Sequence, residues 1–328
     1  MLTRLTRRQS LLACGGAIAA AGARTALPDQ WRAIARGTDG VVGAAALHLS
    51  SGAHFHLNGD DRFPLASVCK LPLAMHILAL VEERKLALSD EIEILPQDVW
   101  AGVSVIEKSW PAKRRYSLRR LVELVVAQSD NTAEETLFRI GGQGPALAAR
   151  LRQWKVEGVR VDRSERQCDL DRNGIAAPPW SQWTDAGLRA LIAKTPEADR
   201  YRALKKSLED PRDTGTPNAT VQLLARLFRG SLLSAASTAL LIDILKATTS
   251  FPTRLKGLLP PGTVVAHKTG SIGSLKGLAL GTNDSGVIFL PGGAQVAVSV
   301  YLKDSTRDDA TRDRVIARVA KAAFDWWS

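Results

Sequence analysis

The sequence predicts a two-domain α/β fold: an antiparallel sheet flanked by helices and built from both chain ends, plus an inserted all-α domain. Three observations predict it. Short apolar or alternating runs that read as strands sit early, at 41–49 and 53–57. Similar runs return late, at 264–267, 278–282, 287–290 and 295–302. Between the two groups the apolar spacing is helical. No repeat or low-complexity linker intervenes, so both groups of strands are expected in one sheet closed by the termini.

Residues 1–23 read as a leader. Arg4, Arg7 and Arg8 precede an apolar, Ala/Gly-rich run, and Ala21 and Ala23 offer a small-residue cleavage site. The Arg7-Arg8 pair resembles a twin-arginine signal, so a periplasmic or secreted protein is expected. Cys14 comes too early in the run to close a lipoprotein box. The α/β domain is then expected over 24–60 and 248–328, and the helical domain over 61–247.

Ser50-Ser51-Gly52 turns the first two strands into a hairpin. From 65 to 84 the spacing is helical, with Pro72 near the first turns, where proline is tolerated. Residues 117–140 repeat the pattern through Leu118, Leu121, Leu124, Val125 and Leu137, until Gly141-Gly142 stops it. Helices also read at 147–154, 221–228, 232–247 and 307–327. Gly-rich and Asn283-Asp284 turns separate the late strands.

The chain has 328 residues, 45% apolar and 23% charged, which is ordinary globular usage. No run reaches the roughly 20 apolar residues of a membrane span, so a soluble protein without one is expected. Net charge is +11, and the three leader arginines account for part of it, leaving +8. The Lys and Arg are scattered and no nucleic-acid motif accompanies them, so no nucleic-acid partner is expected, and a monomer is. Cys69 and Cys168 lack metal-type spacing; export permits a disulfide between them but does not imply one. His54 and His56 stand two apart on a strand without an evident third ligand, so neither metal nor organic cofactor is expected.

Three motifs carry chemistry. Ser67-Val68-Cys69-Lys70 is S-x-x-K at a helix start, Ser129-Asp130-Asn131 follows a helix, and Lys268-Thr269-Gly270 ends a strand. Residues i and i+3 share a helix face, so the Lys70 amine can reach the Ser67 hydroxyl. A serine hydroxyl is a weak nucleophile until a base takes its proton. Lysine serves as that base only when desolvation or a neighbouring cation favours its neutral form, and Lys268 is such a neighbour. Backbone N–H groups at the helix start are placed to hold an oxyanion.

Each motif alone is common. Together, in this order, they are the signature set of class A β-lactamases and penicillin-binding proteins. The resemblance extends to 58–67, to Ile140-Gly141-Gly142, to Asp162-Arg163-Ser164-Glu165, to 210–217 and to Thr282-Asn283-Asp284. Over about 40–302 the chain therefore resembles the class A serine β-lactamase family. The resemblance implies a serine β-lactamase-like fold and a small-molecule β-lactam substrate. It implies that Ser67 is acylated, that Lys70 and Glu165 transfer protons, and that Ser129 relays one to the leaving nitrogen. Glu165 would activate the water that frees the acyl-enzyme. Asn131 would bind the substrate's side-chain amide, and Lys268 and Thr269 its carboxylate. The N–H groups of Ser67 and Ser271 would form the oxyanion hole. Arg163 and Asp213 would pair at the neck of an omega loop spanning 163–213.

Departures from the family's pattern define further expectations. Thr282 takes the place of an arginine that helps grip the carboxylate in many relatives, and Arg254 is expected to substitute. Trp100 or Trp110, with Trp100 preferred, is expected to edge the site. The omega loop is much longer than usual. Asp169 falls where relatives carry an asparagine, and is expected to raise the pKa of Glu165 by repulsion. Two alternatives share the acylation chemistry: a D-alanyl-D-alanine peptidase, and a sensor that binds β-lactams and deacylates slowly.

Overall fold

The computed structural model describes residues 25–328, apart from Ala101 and the side chain of Ser181; the expected leader lies outside them. After α1 (Leu27–Ala35), β1 (Val41–His48) and β2 (His54–Leu57) form the hairpin that leads to short β3 (Phe63–Pro64). A 3-10 turn, Ala66–Cys69, opens into α2 (Lys70–Glu82). Next come β4 (Glu91–Glu93), α3 (Val105–Ser109), β5 (Arg115–Ser117), α4 (Leu118–Ala127), α5 (Asn131–Ile140) and α6 (Gln143–Gln153). The long loop carries α7 (Glu165–Arg172), α8 (Asp185–Lys194) and α9 (Glu197–Ser207). The chain returns through β6 (Thr214–Gly215), α10 (Pro217–Phe228) and α11 (Ala235–Lys246). It ends in β7 (Val265–Leu275), β8 (Leu278–Phe289), β9 (Gln295–Lys303) and α12 (Asp309–Trp327).

The five long strands form one antiparallel sheet in the order β2-β1-β9-β8-β7. The two chain ends thus meet inside the sheet, β1 on β9. Strand alternation gives it two apolar faces. Val42, Ala44 and Ala46 share one face with their partners Leu302, Val300 and Val298, packed with Trp31 of α1 and Ile316 and Val319 of α12. The Trp31 indole also donates to the Val319 carbonyl at 3.1 Å. Ala45, Val287, Ala297 and Tyr301 face the other way, in the core shared with α2, α4, α5 and α10.

Two elements differ from the sequence expectation. The helix expected over 117–140 breaks between α4 and α5, because Asp130 caps α5 by accepting from the Ala133 N–H. Ser129 takes φ 57° in that break. The turn expected at Asn283-Asp284 is instead the middle of β8. Both side chains are buried and paired there: Asn283 Nδ2 donates to the carbonyls of Pro64 and Leu65, and Asp284 accepts from the Leu255 N–H and contacts the His267 ring.

The long loop is closed at its neck. β3 pairs with β6, Phe63 opposite Gly215 and Pro64 opposite Thr214. Asp213, at φ 54°, accepts from the N–H groups of Asp162 and Arg163 and, at 2.6 Å, from Arg163 Nε. Beyond the neck the loop has its own small core of Trp100, Leu170, Trp183 and Leu188.

Candidate active site

Ser67 lies in the 3-10 turn, where side chains at i and i+3 eclipse. That aligns it with Lys70, the first residue of α2. β7 runs close beside this turn. A Cβ at Gly270 would stand 2.9 Å from the Leu65 carbonyl oxygen and 3.0 Å from the Ser67 nitrogen, so only glycine fits. The close approach sets Ser271 next to the turn.

Lys70 is wholly buried. Its Nζ donates to the Ser129 carbonyl at 2.7 Å and to Asn131 Oδ1 at 2.6 Å, and stands 3.3 Å from Ser129 Oγ. Lys268, on β7, donates to Ser129 Oγ at 3.0 Å and to the Thr269 carbonyl at 2.8 Å. One hydroxyl therefore sits between two buried lysine Nζ atoms. Burial, then the Lys70 charge, pushes the Lys268 amine down to about 7. Thr269 Oγ1 meets Ser250 Oγ at 2.8 Å.

Glu165 begins α7 and faces this group. Arg172 Nη2 donates to it at 2.9 Å and also pairs with Asp169. Burial would raise the Glu165 carboxyl, but the Arg172 and Lys70 charges outweigh it and hold it below its ordinary value. The rise expected from Asp169 is thus reversed, because Arg172 neutralises both carboxylates. Asp169 takes the penalty instead: burial raises it, against the pull of Arg172.

Two expected site residues stand elsewhere. Trp100 does not edge the cleft. It is 5% exposed, packs in the loop's core and hydrogen-bonds Asp169. The residue beside Asn131 is Val103, whose carbonyl accepts from the Asn131 N–H at 2.8 Å and whose side chain is 58% exposed. Arg254 is buried behind β7, paired with Asp313 at 2.7 Å. It reaches the cleft only through Ser271 Oγ, to which Nη2 donates at 2.7 Å. Phe251, 45% exposed and at φ 47°, covers the guanidinium at 3.9 Å.

Sequence reasoning missed Arg172 and Glu134. Arg172 had a signal: it lies three after Asp169 and seven after Glu165, on one helix face. Glu134 sits three before Leu137, a carboxylate at a core position of α5. Its Oε2 lies 3.7 Å from Lys70 Nζ. Burial pushes its carboxyl up to about 8, against the pull of Lys70. Cys69 and Cys168 are both free and buried. Among the described residues no group of three His, Cys, Asp or Glu assembles as a metal site, and no helix is long and apolar enough to cross a membrane.

Comparison with known proteins agrees with this geometry. A family profile described as the beta-lactamase enzyme family matches residues 26–327. The chain is 29% identical to the extended-spectrum beta-lactamase PER-1 of Pseudomonas aeruginosa, over 92% of this chain and 87% of that one. It is 26% identical to the carbapenem-hydrolyzing beta-lactamase KPC of Klebsiella oxytoca, over 98% and 97%. Among solved structures, a beta-lactamase from Chitinophaga pinensis superposes with a TM-score of 0.77 at 30% identity, covering 92% of this chain and 99% of that one. An ancestral class A beta-lactamase superposes with a TM-score of 0.74 at 32% identity, covering 92% and 100%. The S-x-x-K turn, the S-D-N break and the K-T-G strand meet at one cleft in a chain that belongs to the beta-lactamase enzyme family.

Proposed function

We propose that the protein hydrolyses β-lactams through an ester on Ser67, in the manner of the class A enzymes. The observation that carries this reading is the Ser129 hydroxyl held between Lys70 and Lys268, beside the Ser67 turn. Ser67 Oγ attacks the lactam carbonyl as its proton passes to Lys70 Nζ. The N–H groups of Ser67 and Ser271 stabilise the oxyanion. The C–N bond then breaks, Ser129 Oγ–H donates its proton to the leaving nitrogen, and Lys70 Nζ–H gives Ser129 Oγ a proton in its place. Asn131 keeps its Nδ2 donors for the substrate amide, since its Oδ1 serves Lys70. Lys268, Thr269 and Ser271 receive the carboxylate, with Arg254 orienting the Ser271 hydroxyl from behind. Glu165, held ionised, takes a proton from the water as its oxygen bonds to the ester carbon, and returns that proton to Ser67 Oγ as the ester C–O bond breaks.

The Arg172–Glu165 pair favours a second reading. A carboxylate held below its ordinary value is a weaker base, which suits a protein that keeps its acyl group. Nitrocefin turnover, with intact mass measured alongside, separates the two. Steady turnover is expected; one burst with a lasting adduct would select the slow binder. Ser67→Ala is expected to lower hydrolysis at least about 10³-fold and to remove the adduct. An adduct that persists in Ser67→Ala would overturn the assignment of the nucleophile.

A further inference from the structure

Phe251 is an aromatic residue where the backbone asks for glycine. It stands at φ 47°, in the left-handed region that a bulky side chain rarely adopts. The local turn fixes it there. Pro252 disfavours the right-handed helical region for the residue before it, and the Arg254 N–H donates to the Phe251 carbonyl at 3.1 Å. Burial does not offset the steric cost, because the side chain is 45% exposed. A bulky side chain held in such a conformation and left open to solvent marks a position where that side chain has a use.

Its surroundings place the ring at the carboxylate end of the cleft. One residue back, Ser250 Oγ meets Thr269 Oγ1 at 2.8 Å. The ring lies over the Arg254 guanidinium, whose carbon is 3.9 Å from the ring centre. Arg254 Nη2 in turn donates to Ser271 Oγ at 2.7 Å. Thr269 and Ser271 are the residues that the proposed reaction gives to the substrate carboxylate. The guanidinium is itself pinned, by Asp313 on Nε and by the Gly270 and Asn283 carbonyls on Nη1. The ring therefore rests on a fixed platform, and a ligand that meets it spends little on ordering it. Val103, 58% exposed beside Asn131, forms an apolar lip at the amide end.

We propose that Phe251 sets substrate preference by stacking on a flat, unsaturated substituent carried next to the substrate carboxylate. The proposal rests on the acyl-enzyme reading above. In a bicyclic β-lactam the carboxylate sits on the ring carbon attached to the lactam nitrogen. With that carboxylate on Lys268, Thr269 and Ser271, a group on the next ring atom projects toward Phe251. A cephalosporin has a double bond between those two ring carbons, which holds an unsaturated group there in one plane. A penicillin has two methyl groups on that atom, one on each side of the ring, and presents no flat face. The face of an aromatic ring is its negative part, so an electron-poor aromatic substituent is the partner that suits Phe251 best.

The test is the second-order rate constant of acylation, followed by rapid-quench mass spectrometry, in wild type, Phe251→Asn and Phe251→Tyr. Nitrocefin carries a dinitrophenyl-ethenyl group on the ring atom in question, and cephalexin carries only a methyl group there on the same nucleus. Asparagine tolerates a positive φ, so the turn is kept while the ring is lost. In Phe251→Asn the nitrocefin constant is expected to fall about three- to tenfold and the cephalexin constant less than about twofold, since only nitrocefin loses an aromatic pair. Tyrosine keeps the ring and is expected to hold both constants within about twofold of wild type. An equal fall for both compounds would mean that Phe251 only steadies Arg254 and Ser271, and overturns the proposal. No change for either compound overturns it as well, as does a Phe251→Tyr variant that loses the preference as fully as Phe251→Asn. A wild type that forms no adduct on Ser67 with either compound defeats the acyl-enzyme reading and the proposal with it. Adducts that form with an unaltered preference defeat the proposal alone.

Discussion

The two sides of the cleft are held in different ways. On the side of Ser67, Lys70, Ser129 and Lys268, backbone geometry does most of the holding. A 3-10 turn, a helix break and a strand edge bring the groups together, and carbonyls and hydroxyls satisfy the lysines. On the side of Glu165, three charged side chains of one helix hold each other, with Arg172 between two carboxylates. Side-chain ion pairs can be rebuilt by one substitution, whereas a strand packed against a turn cannot. The first side is therefore expected to set whether a β-lactam is bound covalently, and the second how long it stays.

The largest expected effect separates the sides cleanly. Glu165→Gln should slow deacylation by about 10²–10⁴-fold, the usual contribution of a general base, while acylation changes little. Rapid-quench mass spectrometry would show the adduct accumulating; normal turnover would break the division. Next is Gly270→Ala, which strikes the first side alone. Its Cβ would drive the strand from the Ser67 turn, so acylation should fall about 10²-fold through misplacement. Deacylation of any adduct formed should change far less.

Smallest in rate is Arg172→Met, which strikes the second side. Without the guanidinium, burial raises the Glu165 carboxyl against the Lys70 and Lys268 charges alone, so its base form is lost at higher pH than in wild type. The acid limb of deacylation should move up by about one pH unit or more, slowing turnover roughly tenfold below neutrality. Glu165 is depressed in the folded protein, so its pairing stabilises above the ordinary glutamate value and is lost as pH falls through the folded one. The variant also leaves buried carboxylates unpaired, and chemical denaturation should show a loss of about 3–5 kcal/mol at neutral pH. An unmoved limb would show that Arg172 does not govern Glu165.

The same contrast explains what was legible in the sequence. S-x-x-K, S-D-N and K-T-G name local backbone forms, and local forms repeat in recognisable spacing. The sheet was legible because β1, β7 and β9 alternate or run apolar within a few residues. Asn283-Asp284 misled because a polar pair reads as a turn unless its distant partners, the carbonyls of 64 and 65 and the His267 ring, are known. Trp100 misled for a related reason. An aromatic at a plausible distance from Ser129 reads as a site edge, but the long loop supplies Leu170, Trp183 and Leu188 to bury it. The charge of Asp169 predicts repulsion of Glu165, and its partner Arg172 reverses the outcome. Glu134 could be seen only by noticing a carboxylate where the periodicity of α5 asks for an apolar side chain.

The neck at Asp162, Arg163 and Asp213 has a consequence for how such a chain can vary. With β3 pinned to β6 and Asp213 fastening both ends, the segment between is a ring already closed. Lengthening a closed ring adds entropy cost only with the logarithm of its length, roughly 0.6 kcal/mol for each doubling. Insertions beyond α7 are thus absorbed almost freely, while the first turn that carries Glu165 keeps its place. The neck lets this chain acquire new loop and new surface a few residues from its reacting atoms without renegotiating where those atoms stand.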